Sequence, residues 1–193
     1  CIIIYKIQTA QQRKEVQMNI WHDISPERIS SRDFMAVIEI PKDGKSKYEL
    51  DKETGMLRLD RVLYTSTHYP ANYGFIPRTY AEDNDPLDVL VLCSVSAVPL
   101  TLIRCYPIGA IRMVDNDEMD EKIIAIPFGD PTYNGYRDIK DLPQHVIEEM
   151  AHFFTVYKEL EHKKTAVLEI VDCSMAENII EKCLESYQEK FGK

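Results

Sequence analysis

Glu82-Asp83-Asn84-Asp85-Pro86-Leu87-Asp88 runs without a break into Val89-Leu90-Val91-Leu92. Four acids fall in seven residues, and an apolar run comes at once after them. Acids belong outside and Val/Leu runs inside, so the chain passes here from a charged rim into a core. Pro86 fixes its own φ and has no amide proton to give a ladder. It also biases Asp85 towards an extended conformation. The stretch reads as a rigid turn feeding a buried strand, with carboxylates at the strand's mouth. Carboxylates that close repel one another unless positive charge sits among them. A solvated acidic turn would have the same composition, so the flanking chain has to decide between the two.

Downstream, the pattern recurs. Asp115-Asn116-Asp117-Glu118-Met119-Asp120-Glu121-Lys122 is a second acid cluster, again leading into an apolar strand, Ile123–Ile126. Two acidic turns, each feeding a buried strand, can meet at one mouth of a sheet or barrel. Between them Leu102–Val114 reads as a long strand, bent or bulged at Pro107 and Gly109. Upstream, Phe34–Ile40 reads as a strand closed by Pro41. Its Glu39 is either on a wet face or held for chemistry, because an isolated buried charge is unfavourable. Lys47–Asp51 alternates as a strand, Thr54-Gly55 turns, and Met56–Tyr64 returns carrying Arg61. His68–Pro77 is aromatic with two prolines and a glycine. It is either a packed irregular loop or a shelf presenting the Tyr69 and Tyr73 hydroxyls.

Beyond a Gly/Pro/Asn-rich loop at 129–137, Asp141 and Gln144 form a capping box for a helix. Val146, Ile147, Met150, Phe153, Phe154, Tyr157 and Leu160 recur at its spacing. Thr165–Val171 is a last strand. Ser174 and Glu177 cap a final amphipathic helix carrying Ile179, Ile180, Cys183, Leu184, Tyr187 and Phe191.

The 193 residues suit one domain, read as 18–193. Residues 1–17 do not join smoothly to the chain beyond Met18 and read as an upstream extension or expression remnant. The net charge of −9, from 32 acids and 23 bases, argues against a nucleic-acid partner, which calls for a basic face. No apolar run is long enough to span a bilayer. Five scattered cysteines without CxxC spacing read as reduced thiols, which places the protein in the cytoplasm.

The acids Asp83, Asp85, Asp88, Asp115 and Asp120, with Glu39 and Glu49, have no His or Cys spaced to join them. Oxygen ligands of this kind suit hard cations such as Mg²⁺, Mn²⁺ or Ca²⁺. A calcium EF-hand loop fails from either start, since the places for Gly and the closing Glu hold Asp88 and Ser94, or Asp120 and Ile126. A P-loop ending at Gly44-Lys45-Ser46 fails as well, because Glu39 stands where it needs Gly. Metal-assisted phosphoryl chemistry needs cations and donors around the phosphates. Lys47, Arg61, Lys122, Lys158, Tyr69, Tyr73 and Tyr157 can supply them, although surface ion pairs would use the same residue types.

Asp83-Asn84-Asp85-Pro86-Leu87-Asp88 resembles the D-x-D-P-x-D signature of the soluble family I inorganic pyrophosphatases. Val37–Pro41, Lys47–Lys52, Asp60-Arg61, Tyr69–Gly74, Asp138–Pro143 and His152–Lys158 resemble further family blocks in the same order. The likeness spans roughly residues 19–190 and is closest in wording to plant-type and related prokaryotic members. It implies a mainly β fold with flanking helices (α+β): a five-stranded, OB-like β-barrel plus two α-helices. It implies that Asp83, Asp88, Asp115 and Asp120 ligate Mg²⁺, several ions per site with Mn²⁺ as a possible substitute. Glu39 would reach an outer ion, and Glu49 would support the site. Asp85 is implied as general base, with Tyr73 and Arg61 beside it in the catalytic set and Tyr73 also binding substrate. Lys47, Arg61, Lys122, Tyr157 and Lys158 are implied as phosphate holders, with Tyr69 and Tyr73 lining the pocket. Asp117 has no counterpart, and Asn84 stands where Gly is frequent.

The implied reaction is hydrolysis of inorganic pyrophosphate to two orthophosphates by in-line attack of water. Bacterial members imply a homo-oligomer, a hexamer, for which the apolar helix 143–161 is either an interface or core. Two other readings stand against this one. A binding module that has lost catalysis would lack an essential acid or lysine, and every aligned position is filled. An oligonucleotide-binding barrel is opposed by the charge.

Overall fold

The computed structural model describes residues 19–192. The expected extension at 1–17 lies outside the described residues. Strand β1 is Phe34–Ile40, with the expected ends, and β2 (Ser46–Leu50) and β3 (Leu57–Val62) form the expected hairpin. Then come β4 (Asn72–Phe75), β5 (Asp88–Val91), β6 (Leu102–Asp115) and β7 (Glu118–Pro127). Helix α1 (Gln144–Val156), strand β8 (Thr165–Asp172) and helix α2 (Cys173–Phe191) complete the order.

The hydrogen-bonded order is β1-β4-β5-β7-β6-β8, and β1 also pairs with β6. Five strands therefore close into a ring, as expected for the barrel, with β8 added on the outside of β6. β5 and β7 run parallel with Asp88 opposite Lys122, so both enter the barrel at the same level. The long β6 shifts register between Pro107 and Gly109, where the proline and glycine led us to expect a bulge.

Side chains alternate across each strand, and the two faces feed separate cores. Tyr73, Leu90, Ile111, Met113 and Ile124 pack with Met150, Phe153 and Phe154 of α1. Ala36, Ile38, Val89, Val91, Ala110 and Ile123 pack with Ala176, Ile179, Ile180 and Cys183 of α2. The apolar face of α1 is thus core, and His145, Glu148, Glu149 and His152 are its exposed side.

Several local expectations are corrected. His68–Pro77 is not an irregular loop throughout, because it contains β4. Gly74 hid that strand from pattern reading, yet a Cβ there would stand 1.8 Å from the Val37 carbonyl oxygen. Only glycine lets β4 approach β1 so closely. The second acid cluster does feed a strand, but its turn is shorter than the cluster. It is the tip of the β6–β7 hairpin, with Asn116 and Asp117 alone in the bend at φ 52° and 69°. Two consecutive positive φ values are the primed turn that matches strand twist. Helix caps also differ. Asp138, not Asp141, caps a short 3₁₀ turn at Ile139–Asp141, and α1 begins after Pro143 without a side-chain cap. Asp172, not Ser174, caps α2 by accepting from the Met175 amide at 3.0 Å. Leu160 lies in a second 3₁₀ turn and is exposed.

Candidate active site

The alternation that builds the inner core also builds the cleft above it. On β7 Asp120 and Lys122 share a face with buried Ile124, two residues apart at each step. Asp115 and Met113 lie on the facing strand, Met113 directly opposite Asp120. Asp88 sits opposite Lys122 on β5, with Tyr73 on β4 beyond it. Charged residues thus form the top layer of a barrel filled below by apolar side chains.

The loop before β5 is held by its own backbone. The Asn84 amide donates to the Ala81 carbonyl (3.1 Å) and the Ala81 amide to that of Asp85 (2.8 Å). The Asp85 amide donates to Asp83 Oδ1 at 3.1 Å. Asn84 has φ 69°, a left-handed conformation that Asn adopts more readily than other non-glycine residues. Gly, which the resemblance puts at this place, adopts the same conformation without strain. Leu87 is fully buried and its amide donates to the Thr79 hydroxyl at 2.8 Å. The expected rigid turn into a buried strand is present.

All fourteen residues singled out in the sequence line one cleft of about 710 Å³. They are Glu39, Lys47, Glu49, Arg61, Tyr69, Tyr73, Asp83, Asp85, Asp88, Asp115, Asp120, Lys122, Tyr157 and Lys158. Glu39 falls where β1 shifts register between Ile38 and Ile40, the kind of bulge that re-aims a side chain. It is buried, and its carboxylate accepts from the Leu50 amide at 2.7 Å. Burial raises it to about 7. Asp83 is raised to about 6, chiefly by withdrawal from water.

Lys122 donates to Asp88 (2.6 Å), Asp120 (2.9 Å) and the Tyr73 hydroxyl (3.1 Å). Burial opposes its charge, but the Asp120 and Asp88 carboxylates outweigh burial and hold it well above the usual lysine value. Burial likewise opposes the Asp88 charge, and Lys122 and Lys47 hold its carboxyl below the usual range. Tyr73 donates to Asp88, and Lys158 to Asp115. Lys47 lies 3.8 Å from Glu49 and 5.3 Å from the Tyr73 ring centre. Buried Tyr69 packs against Tyr73 and Phe153. Arg61 is fixed by Glu161 (2.9 Å) and Asp60 (2.5 Å).

Two buried side-chain polar atoms lack a hydrogen-bond partner among the described residues: Arg61 Nη2 and Asp115 Oδ1. One is a donor carrying positive charge and the other an acceptor carrying negative charge. Leaving a buried polar group unpaired costs about 1–3 kcal/mol, so both stand ready for a ligand. Among the described residues no three His, Cys, Asp or Glu side chains converge tightly enough to hold a metal by themselves. Mg²⁺ does not require that, since it keeps several waters and takes only one or two carboxylates beside substrate phosphates.

Several residues of the cleft and its wall were not singled out as site residues in the sequence, three of them in contact with its charged groups. Lys52 and Trp21 line the cleft, and Glu161, with a side chain only 7% exposed, anchors Arg61. Lys52 closes a block that resembles the family, but the strand pattern ends before it. Glu161 lies 100 residues from Arg61, and no local spacing connects the two.

Comparison with known proteins gives the class. The family model described as inorganic pyrophosphatase matches residues 36–188. A soluble inorganic pyrophosphatase of Solanum tuberosum is 46% identical over 186 residues, covering 95% of this chain and 87% of its own. Soluble inorganic pyrophosphatase 2 of Chlamydomonas reinhardtii is 45% identical over 171 residues, 89% of each chain. Among solved structures, the inorganic pyrophosphatase of Thermus thermophilus superposes with a TM-score of 0.82 at 34% identity, covering 89% of this chain and 99% of that one. That of Helicobacter pylori gives 0.80 at 42%, covering 82% and 95%. The chain belongs to the inorganic pyrophosphatase family. As an enzyme it is an inorganic diphosphatase, a hydrolase of a phosphoric anhydride.

Proposed function

We propose that this cleft hydrolyses inorganic pyrophosphate to two orthophosphates, that it needs Mg²⁺, and that Asp85 is the general base. The observation that carries the reading is the pair of unpartnered buried atoms in one cleft, Arg61 Nη2 and Asp115 Oδ1. A free donor and a free acceptor in the same cleft suit a ligand that brings anion and cation together. A metal-loaded pyrophosphate is such a ligand.

The oxygen donors Asp83, Asp88, Asp115 and Asp120 would hold Mg²⁺, with Glu39 reaching an outer ion and Mn²⁺ serving as a substitute. When bound, Mg²⁺ neutralises phosphate oxygens and lowers the pKa of water. Arg61, fixed on one side by Glu161 and Asp60, offers its free nitrogen to a phosphate oxygen. Lys47, Lys122, Tyr157 and Lys158 hold the remaining oxygens by charge and hydrogen bond. Tyr73 and Tyr69 wall the cleft, and Glu49 steadies Lys47. Asp85 stands on the loop held by the Ala81 and Asp83 hydrogen bonds. From there it accepts the proton of the attacking water and leaves no phosphoenzyme. The protein is read as cytoplasmic and as a homo-oligomer, a hexamer, which sedimentation checks.

The test is steady-state phosphate release by Asp85→Asn. The amide keeps the shape and cannot take a proton, so kcat should fall about 10²–10⁴-fold with the fold retained. A variant with kcat within threefold of wild type would remove Asp85 from this role.

A further inference from the structure

Lys52 enters the cleft from the turn between β2 and β3 and meets the acidic loop 33 residues away, where its ammonium pairs with Asp85. The same ammonium lies 5.1 Å from the ring centre of Trp21. That ring is fixed: it is buried, and its Nε1 donates to the Thr79 carbonyl at 2.8 Å. The Lys52 carbonyl in turn accepts from Asn19 at 3.4 Å. Lys52 thus has a built seat, with an aromatic face on one side and a carboxylate on the other.

Like Arg58 at the rim, 65% exposed, it differs from the deep-seated cleft cations in exposure. The side chains of Lys47, Arg61, Lys122 and Lys158 are 17%, 18%, 3% and 12% exposed, against 46% for Lys52. Deeply seated cations are committed to the cleft floor. A half-exposed ammonium on a turn instead keeps its stem along the ring and its charge at the cleft rim.

We propose that Lys52 is a positioning residue for Asp85. Seated on Trp21, it holds that carboxylate turned into the cleft mouth, in the resting enzyme and while the reactants are bound. The inference rests on the reading of Asp85 as the base and extends it to a residue outside the implied site set. Two consequences separate it from a structural role. The Lys52 charge opposes cations entering the free enzyme, so its removal tightens their binding. Its removal also leaves Asp85 unheld, so turnover falls while substrate affinity is kept. A lysine that gripped phosphate would instead raise KM.

The experiment compares wild type, Lys52→Met and Lys52→Arg. MgCl₂ is titrated calorimetrically without pyrophosphate, and phosphate release is followed at saturating Mg²⁺. Lys52→Met should bind Mg²⁺ about threefold to fivefold more tightly, as loss of one exposed charge pair implies. Its kcat should drop about tenfold with KM within twofold, and Lys52→Arg should recover both towards wild type. The proposal is overturned by Mg²⁺ binding that is unchanged or weaker in Lys52→Met. A raised KM at unaltered kcat would overturn it as well, as would an arginine variant no better than methionine. Should wild type release no phosphate at all, the functional reading fails, while the Mg²⁺ titration still reports on the Lys52 seat.

Discussion

At the residue scale the cleft is a set of opposed charges that satisfy one another in the free enzyme. Lys122 bridges Asp88 and Asp120, Lys158 meets Asp115, and Lys52 meets Asp85. On the proposed reading, the Lys122 and Lys158 pairs can be exchanged for a metal on the acid side and a phosphate on the lysine side. Arg61 is the exception, because one nitrogen is already free. Lysine cannot reproduce a fork held through two nitrogens while a third stays free. Arg61→Lys should therefore lower kcat/KM about 30-fold, roughly 2 kcal/mol for a charged hydrogen bond, mainly through a higher KM. Steady-state kinetics at saturating Mg²⁺ would read this, and an unchanged KM would count against a phosphate contact.

At the element scale, the β6–β7 hairpin presents the second pair of acids. Asp115 ends one strand and Asp120 lies within the other, while Asp117 occupies the bend at φ 69°. The resemblance assigns Asp117 no role, and its place in the turn gives it a conformational duty. Glycine adopts this φ without strain, and Asn-Gly is the favoured pair in such a turn. Asp117→Gly should raise stability by about 0.5–1 kcal/mol and leave phosphate release unchanged, as denaturant melts and assays would show. A drop in activity would mean that Asp117 contributes to the site.

The same hairpin shows what the sequence made legible. Apolar runs such as Phe34–Ile40 and Val89–Val91 identify themselves, because burial on both faces leaves few polar breaks. Acid-rich hairpin tips do not, since the charges that serve the cleft mask the strand they sit on. Asn72–Phe75 was also hidden. Its Asn72 is buried because its side chain joins Lys42, Val95 and Ala97 by hydrogen bonds, and its Gly74 answers to the Val37 backbone. Both are tertiary causes with no local signature. The site acids and lysines were found through signature spacing, whereas Lys52, Trp21 and Glu161 depend on contacts made only after folding.

At the scale of the whole molecule, the ring of strands keeps its two apolar faces against α1 and α2 and turns its one charged layer to the cleft. No helix among the described residues is long and apolar enough to cross a membrane. Away from the cleft, Asp130 ties two loops, accepting from the Ser94 amide at 2.6 Å and the Thr132 amide at 2.9 Å. Burial opposes its charge, and these amides outweigh burial and hold its carboxyl at about 2, below the ordinary 3.8. A lowered carboxyl stabilises the fold above its ordinary value and loses that contribution as pH falls towards 2. Asp130→Asn should therefore unfold more easily at pH 7 and differ less from wild type near pH 2.5. Parallel melts of equal spacing across that range would contradict the role assigned to its charge.

On the proposed reading, this cleft joins Mg²⁺ and pyrophosphate on residues that otherwise pair with one another. Phosphate release from pyrophosphate by the purified wild-type chain, measured across a Mg²⁺ titration and again after chelation, tests that reading most directly. Release should be absent with chelator, rise with Mg²⁺ and recover when the ion is restored. Release that persists with chelator, or none at any Mg²⁺ concentration, would contradict it.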